Sequence, residues 1–325
     1  MSNADLYGPI QQDLRIVEGK LSAIAVQAPH APHVFEGNLL GHVLEAPGKR
    51  TRPAITLLAS KLHPHDNDFP QIMAAAVELL HIATLIHDDT VDNSTVRRGL
   101  ATVSSSWGEN VAVLLGDYVF AASATFVCDT NNIRVIRRFS ETIMELSSGE
   151  LAEILDAYKP NISREPYWKR IYHKTASLFC TSAESGAVLS GAPENQIQSL
   201  KSYGYNVGMA FQIVDDILDF DGTEEEVGKP VGNDLLQGTL TLPSILLMEQ
   251  YPDNNPVKRF FENGNSENDL EKAIDMVQSS SIISQSFDIA NDFCNQALEA
   301  LEEFPDSDYK NSLTGLAGYI MSRRQ

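Results

Sequence analysis

The pattern of apolar and polar residues along the chain is helical almost throughout. Five long stretches are rich in helix formers, and they cover residues 71–87, 109–130, 134–158, 195–220 and 266–280. Segments rich in helix breakers separate them, at residues 63–70, 159–166, 221–234 and 251–256. We find no series of alternating strands at regular spacing. The pattern therefore predicts an all-α fold, a single-domain bundle of about ten or more helices over residues 1–325.

The stretch 71–87 is apolar on nearly all sides of a helix, so we expect it to lie centrally in the fold. It leads directly into Asp88, Asp89 and Asp92. At about 100° per residue these three carboxylates project within one arc of roughly 100°. They repel each other unless a cation lies between them, and buried unpaired carboxylates are costly.

The same spacing of aspartates recurs at Asp215, Asp216 and Asp219, where it again interrupts an apolar helical run. One such cluster is explained equally well as a solvated acidic patch at a helix end. Two identical clusters are difficult to explain in that way. If the two helices face each other, six carboxylates line one cavity that suits Mg²⁺. Since Mg²⁺ keeps waters and bridges to phosphates, the pattern predicts a substrate that carries a diphosphate.

Composition narrows the class of protein. The formal net charge of −20 and the pI of about 4.7 argue against a general nucleic-acid binder. Cys128, Cys180 and Cys294 show neither metal-site spacing nor a disulfide framework, so we expect a cytoplasmic protein. The N-terminus lacks a signal pattern, and no uninterrupted apolar run of about 18 residues predicts a transmembrane segment. His63 and His65 are other candidate metal ligands, but an exposed polar turn explains them better.

Basic residues lie near both acidic clusters. Arginine suits phosphate oxygens because of its planar fork, and lysine neutralises them as a point charge. Each residue alone is explained by solvated surface charge, but their positions in so acidic a chain favour phosphate binding. They are Lys49, Arg50 and Arg52 in GKRTRP, Arg97 and Arg98 after the first cluster, Lys174 beside Thr175, and Lys229 in GKPVGND.

These motifs together strongly resemble those of the trans-isoprenyl diphosphate synthases, or polyprenyl synthetases, of the medium- to long-chain type. The resemblance runs from about Lys49 to Pro243, with matching order and spacing. It is carried by GKRTRP, ELLHIATLIHDDTVDNSTVRRG, LLGDYVFA, GEL, KTASLF, GMAFQIVDDILDF and GKPVGNDLLQGTLTLP. The sequence departs from the family pattern at Pro47, where a glycine is usual, and at Thr239, where many members have lysine.

The resemblance implies the isoprenoid synthase fold, an all-α bundle around a deep central cavity, in a chain that usually forms a homodimer. It implies a Mg²⁺-dependent prenyltransferase that joins an allylic diphosphate (dimethylallyl, geranyl or farnesyl) to isopentenyl diphosphate, head-to-tail and trans. The implied metal ligands, for three ions with substrate bound, are Asp88, Asp89, Asp92, Asp215, Asp216 and Asp219. All of these except Asp219, together with Lys174, are the implied catalytic residues.

Further residues match substrate-binding positions of the family. The implied contacts to the allylic diphosphate are Arg97, Lys174 and Lys229. The implied contacts to isopentenyl diphosphate are Lys49, Arg52, His81 and Arg98. Gln212 and Thr175 match polar positions beside the reacting carbons.

Product length in this family depends on what blocks the cavity below the first cluster. Short-chain synthases often carry aromatic residues four and five positions before the first aspartate, where this chain has Thr84 and Ala83. Leu80 and Val77 lie deeper along the helix, and neither is a strong plug. We therefore expect a product longer than farnesyl, in the geranylfarnesyl to octaprenyl range. Residues of the 109–130 helix could still close the cavity, and these are Tyr118, Phe120 and Phe126.

Several alternatives remain open at this point. A short-chain farnesyl or geranylgeranyl diphosphate synthase is the main one. A class I terpene cyclase would carry one DDxxD and a different second metal motif, and a squalene-type synthase would not need Lys49, Arg52 and His81. A non-catalytic partner subunit should have lost one cluster, and neither is lost. The exact product, the preferred starter, the downstream pathway (quinone, carotenoid or other) and the choice between homodimer and heteromer stay open.

Overall fold

The computed structural model describes residues 6–27, 39–44, 46, 48–97, 99–160, 163–221, 230–262 and 266–322. Within these ranges the chain is all-α apart from one antiparallel hairpin, which confirms the predicted fold class. The hairpin pairs β1 (Val96–Arg97) with β2 (Leu100–Ala101).

The helices match the predicted stretches to within a few residues. In the first part of the chain they are α1 (Gln11–Gln27), α2 (Leu39–Leu44), α3 (Thr51–Lys61), α4 (Phe69–Val91), α5 (Val103–Trp107), α6 (Glu109–Asp129), α7 (Ile133–Asp156) and α8 (Arg164–Ile171). The second part contains α9 (Ser177–Leu189), α10 (Glu194–Asp221), α11 (Asn233–Leu236), α12 (Leu242–Gln250), α13 (Pro256–Glu262), α14 (Glu267–Ser279), α15 (Ile282–Glu299) and α16 (Asp308–Ser322). A short 3₁₀-helix (Gly8–Ile10) precedes α1, and a π-helix (Tyr172–Ala176) joins α8 to α9.

The chain divides into two compact units. Unit 1 comprises Met1–Phe139, Thr181–Leu200 and Phe304–Leu313. Unit 2 comprises Ser140–Cys180, Lys201–Glu303 and Thr314–Gln325. The single domain expected over residues 1–325 stays a prediction.

Helix α4 forms the core of unit 1. It begins with Pro70 in its first turn, where a missing backbone N–H costs nothing, and every residue from Met73 to Leu80 is buried. Helices α1, α3 and α6 pack against it, as an all-round apolar helix requires. The expected central position of this helix is confirmed.

Helices α4 and α6 are long and apolar enough to cross a membrane by length and composition alone. The apolar window of α4 is 67% buried within the protein, whereas that of α6 is 33% buried. The core helix of a globular protein passes the same test, and α4 is such a helix.

In unit 2 the segment from Lys174 to Phe179 lies close to the backbones of α7 and α10. A Cβ added at Gly149 of α7 would lie 2.8 Å from the backbone N of Lys174. A Cβ added at Gly208 of α10 would lie 2.5 Å from the Cα of Ala176. Only glycine allows backbones to approach so closely, and this packing places Lys174 and Thr175.

Candidate functional site

The first aspartate cluster lies at the end of α4 in unit 1, and its three carboxylates differ in exposure. Asp88 is half-buried, Asp92 is exposed, and Asp89 is buried. The backbone N–H of Asp92 donates to the carbonyl of Asp88 at 2.8 Å and closes the last turn of the helix. Asp88 and Asp92 are four residues apart and therefore lie on one side of the helix end.

Asp89 is turned towards the hairpin that follows α4. Its Oδ1 accepts a hydrogen bond from Nε of Arg97 at 2.5 Å, in a charge-assisted pair. The carbonyl of Asp89 accepts from the backbone N–H of Ser94, and Thr102 Oγ1 donates to the carbonyl of Ser94. These bonds return the chain so that β1 carries Arg97 back over the first cluster. Arg98 lies outside the described residues.

One face of α4 remains accessible along its second half. His81, Thr84, Leu85 and Asp88 are all half-buried, and their spacing of three, four and seven residues places them on one face. Of the four residues expected to set product length, only Thr84 lies on this face. The other three are fully or almost fully buried, and they are Val77, Leu80 and Ala83.

A cavity of about 70 Å³ lies beside this face, within unit 1. Its lining contains His81, Asp89 and Arg97, together with Arg50, Glu78 and several apolar side chains. Next to it, Arg52 Nη1 lies 3.2 Å from His81 Nε2, which brings together two residues expected to bind isopentenyl diphosphate. Of the other two residues expected to bind isopentenyl diphosphate, Lys49 is exposed and Arg98 lies outside the described residues.

An ion pair that sequence reasoning missed supports this region. Arg50 Nη1 lies 2.6 Å from Oε1 of the buried Glu78. Arg50 also has a left-handed backbone, with φ of 50°, just before α3 begins. The sequence did contain a signal for this ion pair. Glu78 is the lone acid within the stretch 71–87, and a buried carboxylate requires a partner.

The second aspartate cluster lies on α10 in unit 2, and again its members differ. Asp215 is half-buried, whereas Asp216 and Asp219 are buried. Asp219 holds the loop before α11, since its carbonyl accepts from the N–H of Gly232 and its Oδ2 from that of Asp234. This loop continues from the segment that contains Lys229, which lies outside the described residues.

Asp216 is the centre of a chain of hydrogen bonds. Tyr167 donates its hydroxyl to Oδ2 at 2.7 Å, and Gln212 donates Nε2 to Oδ1 at 2.8 Å. Thr175 Oγ1 donates in turn to Oε1 of Gln212 at 2.6 Å. The structure therefore brings together Thr175 and Gln212, the two polar residues expected beside the reacting carbons. No local pattern in the sequence marks Tyr167 as a functional residue.

Burial raises the pKa of Asp216 to about 8, and the nearby charge of Asp234 acts in the same direction. The hydrogen bonds from Tyr167 and Gln212, together with the charge of Arg170, oppose this rise. Burial beside Asp216 also raises the pKa of Tyr167. A cation near Asp216 would favour its ionised form.

Lys174 projects from the π-helix towards two glutamates of α7. Its Nζ lies 2.7 Å from Glu153 and 3.3 Å from Glu150. The side chain is half-buried, and a phosphate group would compete with these carboxylates for it.

Among the described residues, no three His, Cys, Asp or Glu side chains are grouped so as to hold a metal ion. Asp89, Asp216 and Asp219 accept hydrogen bonds from other groups of the protein. The donor chemistry still fits Mg²⁺, because carboxylate oxygens are its preferred protein ligands and Asp88, Asp92 and Asp215 keep accessible carboxylates.

The two loop histidines behave as a polar turn. Nε2 of His63 contacts Gln196 Oε1, and Nδ1 of His65 lies 3.0 Å from the carbonyl of His63. Each imidazole thus has a protein partner, and both histidines are half-buried, whereas an exposed turn was expected.

Comparison with known proteins gives concordant matches along the chain. The family model described as "Polyprenyl synthetase" matches residues 37–277. The heptaprenyl diphosphate synthase component 2 of Geobacillus stearothermophilus is 36% identical over 321 residues, which cover 98% of each chain.

Two solved structures share the fold over nearly the whole chain. A decaprenyl diphosphate synthase from Rhodobacter capsulatus has a TM-score of 0.91 at 34% identity and covers 100% of both chains. A polyprenyl synthase from Caulobacter crescentus CB15, complexed with calcium and isoprenyl diphosphate, has a TM-score of 0.90 at 32% identity. That match covers 100% of this chain and 98% of the other. The likeness confirms the expected isoprenoid synthase fold.

Proposed function

The chain belongs to the polyprenyl synthetase family, and on that basis we propose a trans-prenyltransferase that joins an allylic diphosphate to isopentenyl diphosphate. The product is a polyprenyl diphosphate longer than farnesyl, in the geranylfarnesyl to octaprenyl range. One observation carries the proposal. Each DDxxD sequence of this family member keeps at least one aspartate that is not buried, Asp88 and Asp92 on α4 and Asp215 on α10, next to apolar helical residues that are buried.

These accessible carboxylates would hold Mg²⁺ against the diphosphate of the allylic substrate, with three ions when substrate is bound. When bound, Mg²⁺ supplies positive charge to the diphosphate oxygens and makes diphosphate a better leaving group. The assignment of both clusters to one substrate rests on family membership. The Caulobacter relative, complexed with calcium and isoprenyl diphosphate, supports binding of the same chemistry here.

Two basic side chains of the protein would act on the same diphosphate group. Arg97 is held over the first cluster by Asp89, where its remaining N–H groups suit phosphate oxygens. Lys174 would exchange its two glutamate partners for the diphosphate. Both residues would neutralise the charge that develops as the C–O bond of the allylic substrate breaks.

A separate set of side chains would position the second substrate, isopentenyl diphosphate. Arg52 and His81 already lie side by side, and with Lys49 they would bind the diphosphate of isopentenyl diphosphate. Its double bond then attacks the allylic cation, a C–C bond forms, and a proton passes to the released diphosphate. Thr175 and Gln212 present polar atoms beside the reacting carbons. The buried apolar body of α4 would help to exclude water from the cation.

Product length depends on the accessible face of α4. Thr84 lies on that face, one turn before Asp88, and its small side chain leaves room for a growing prenyl tail. Ala83 is buried and contributes to packing instead. Relatives named for heptaprenyl and decaprenyl products support a medium to long chain.

We further propose that the protein is a homodimer. Val113 and Leu114 on α6 are exposed, and so are Met144, Leu151 and Leu155 on α7. Groups of exposed apolar side chains are typical of surfaces that a partner covers. One relative is named as a component 2, so a heteromer is the alternative assembly. The cytoplasmic location stays a prediction.

The test is incubation of the purified protein with Mg²⁺, labelled isopentenyl diphosphate and each allylic starter in turn, followed by product sizing and assay of released diphosphate. Products longer than farnesyl support the proposal, whereas farnesyl as the only end product contradicts the expected length. Diphosphate release without isopentenyl diphosphate would favour a terpene cyclase. No release under any condition would favour a non-catalytic subunit.

A further inference from the structure

Tyr167 is a buried residue that the proposed mechanism does not use. It lies on α8, is 2% exposed, and donates its hydroxyl to Oδ2 of Asp216 at 2.7 Å. Two neighbouring side chains lie close to its ring. The Trp168 ring centroid lies 4.8 Å away, and the guanidinium carbon of Arg170 lies 5.7 Å from the Tyr167 centroid.

The hydroxyl of Tyr167 determines which hydrogen bonds the carboxylate of Asp216 makes. With Tyr167 on Oδ2 and Gln212 on Oδ1, both carboxylate oxygens have a donor. An ionised carboxylate, the form that a cation near Asp216 favours, only accepts hydrogen bonds, and Gln212 accordingly presents the NH₂ group of its amide to Asp216. The amide oxygen of Gln212 is therefore directed to Thr175, whose Oγ1 donates to it at 2.6 Å.

This chain of bonds links a buried tyrosine to the residues beside the reacting carbons. Without the hydroxyl of Tyr167, one oxygen of a buried carboxylate loses its donor, and a buried polar atom without a partner is unfavourable. Asp216 would then rotate or change partners, and the amide of Gln212 would lose the constraint on its orientation. Groups that orient a metal-binding carboxylate from behind commonly affect metal affinity and activity.

We propose that Tyr167 is a positioning residue of the active site, which fixes the carboxylate of Asp216 and, through it, the amide of Gln212. The proposal rests on the proposed prenyltransferase function for its kinetic consequence. The orientation of Asp216 and Gln212 by Tyr167 concerns only residues of unit 2.

The test is the variant Tyr167→Phe, which removes the hydroxyl and keeps the ring. We expect kcat to fall by about 10- to 100-fold while KM for isopentenyl diphosphate is unchanged. The Mg²⁺ concentration needed for half of the thermal stabilisation by inorganic diphosphate should rise by a similar factor. In this second measurement, Mg²⁺ is titrated in the presence of inorganic diphosphate and the rise in the melting temperature of the protein is recorded. It does not depend on turnover.

The matched control is Tyr205→Phe. Tyr205 belongs to the same group of aromatic side chains, with its ring 6.3 Å from Phe293, which in turn lies 5.9 Å from Trp168. The same chemical change there leaves Asp216 untouched, so kcat and the Mg²⁺ dependence should match those of the unmodified protein. A second variant replaces Tyr167 by 4-aminophenylalanine, which keeps a donor at the para position of the ring and should stay close to Tyr205→Phe in kcat and in Mg²⁺ dependence.

The outcomes separate the two proposals. If the unmodified protein shows no prenyl transfer, the proposed function fails, and the Mg²⁺ titration alone judges the role of Tyr167. If Tyr167→Phe is folded and matches Tyr205→Phe in kcat and in Mg²⁺ dependence, the positioning role is overturned. If Tyr167→Phe does not fold, the 4-aminophenylalanine variant decides, because it should remain close to the control and a loss of about 10- to 100-fold would contradict the proposal.

Discussion

At the scale of single residues, identical letters in the two DDxxD sequences have different surroundings. Asp92 is exposed, and Asp88 and Asp215 are half-buried. Asp89, Asp216 and Asp219 are buried, and each accepts hydrogen bonds from its own unit. The burial of Asp89 and Asp216 follows from the 3.6-residue period, because adjacent aspartates on a helix point about 100° apart. One member of each adjacent pair therefore faces the protein interior.

The Arg50–Glu78 ion pair gives a residue-scale prediction. Glu78 is 5% exposed and Arg50 16% exposed at their side chains, so the variant Glu78→Gln leaves a largely buried guanidinium without its counter-charge. We expect the free energy of unfolding to fall by about 3 kcal/mol, measured by urea denaturation.

The control for this experiment is Asp156→Asn. Asp156 pairs with Lys159 at 3.1 Å on the surface, where both side chains are more than half exposed. Loss of such a pair should change the free energy of unfolding by less than about 1 kcal/mol. Equal losses in the two variants would contradict the special role of the buried pair.

The sequence predicted these residues unevenly, for physical reasons. The aspartate clusters are local in the chain, so helical geometry alone placed their members relative to one another. The contacts of Glu78 with Arg50 and of Tyr167 with Asp216 join residues 28 and 49 positions apart. Such pairs depend on how helices pack, and no local pattern in one sequence contains that information.

At the scale of elements, the helical pattern was sufficient for most of the fold. The five predicted stretches correspond to α4, α6, α7, α10 and α14 with ends shifted by a few residues. The hairpin was not predicted, since two strands of two residues each leave no alternating pattern. The π-helix was missed because one widened turn does not change the character of an apolar helical run.

The close packing of α10 on the π-helix segment gives an element-scale prediction. In the variant Gly208→Ala, the new Cβ would lie 2.5 Å from the Cα of Ala176, so the two backbones must separate. We expect a loss of about 1–3 kcal/mol in the free energy of unfolding. Activity should also fall, because Thr175 moves with the segment. The free energy of unfolding and the rate of prenyl transfer are both measured on the purified variant.

Gly318→Ala is the matched substitution for that test. Gly318 lies in α16, and a Cβ there would meet no atom within 4 Å. Because alanine favours the helix over glycine, this variant should be as stable as the unmodified protein or more stable, by up to about 1 kcal/mol. A similar loss in both variants would argue against the close approach as the cause.

At the scale of the whole molecule, the product length reports how far the prenyl tail extends. Thr84→Phe adds an aromatic ring on the accessible face of α4, so we expect a shorter product with turnover retained. Ala83→Phe adds the same ring at a buried position and should instead lower stability, by about 1–3 kcal/mol. Product sizing and thermal unfolding distinguish the two. An unchanged product in Thr84→Phe would show that the tail takes another path.

Assembly gives the second prediction at this scale. Leu114 is 69% exposed in one chain, so Leu114→Glu should leave the folded chain stable but convert a dimer into a monomer, as measured by light scattering. Ile16 on α1 is 41% exposed, and Ile16→Glu provides the matched change on another helix. The proposed interface is contradicted if both variants keep the mass of the unmodified protein as a dimer.

The contact between the rings of Trp168 and Tyr167 has a practical consequence for spectroscopy. The chain contains two tryptophans, Trp107 and Trp168, and Trp168 is next to the ring whose hydroxyl holds Asp216. In a Trp107→Phe background the intrinsic fluorescence would come from a single indole beside the second aspartate cluster. The molecule thus carries a built-in optical reporter, through which binding of diphosphate and Mg²⁺ can be followed in stopped-flow time courses without a label.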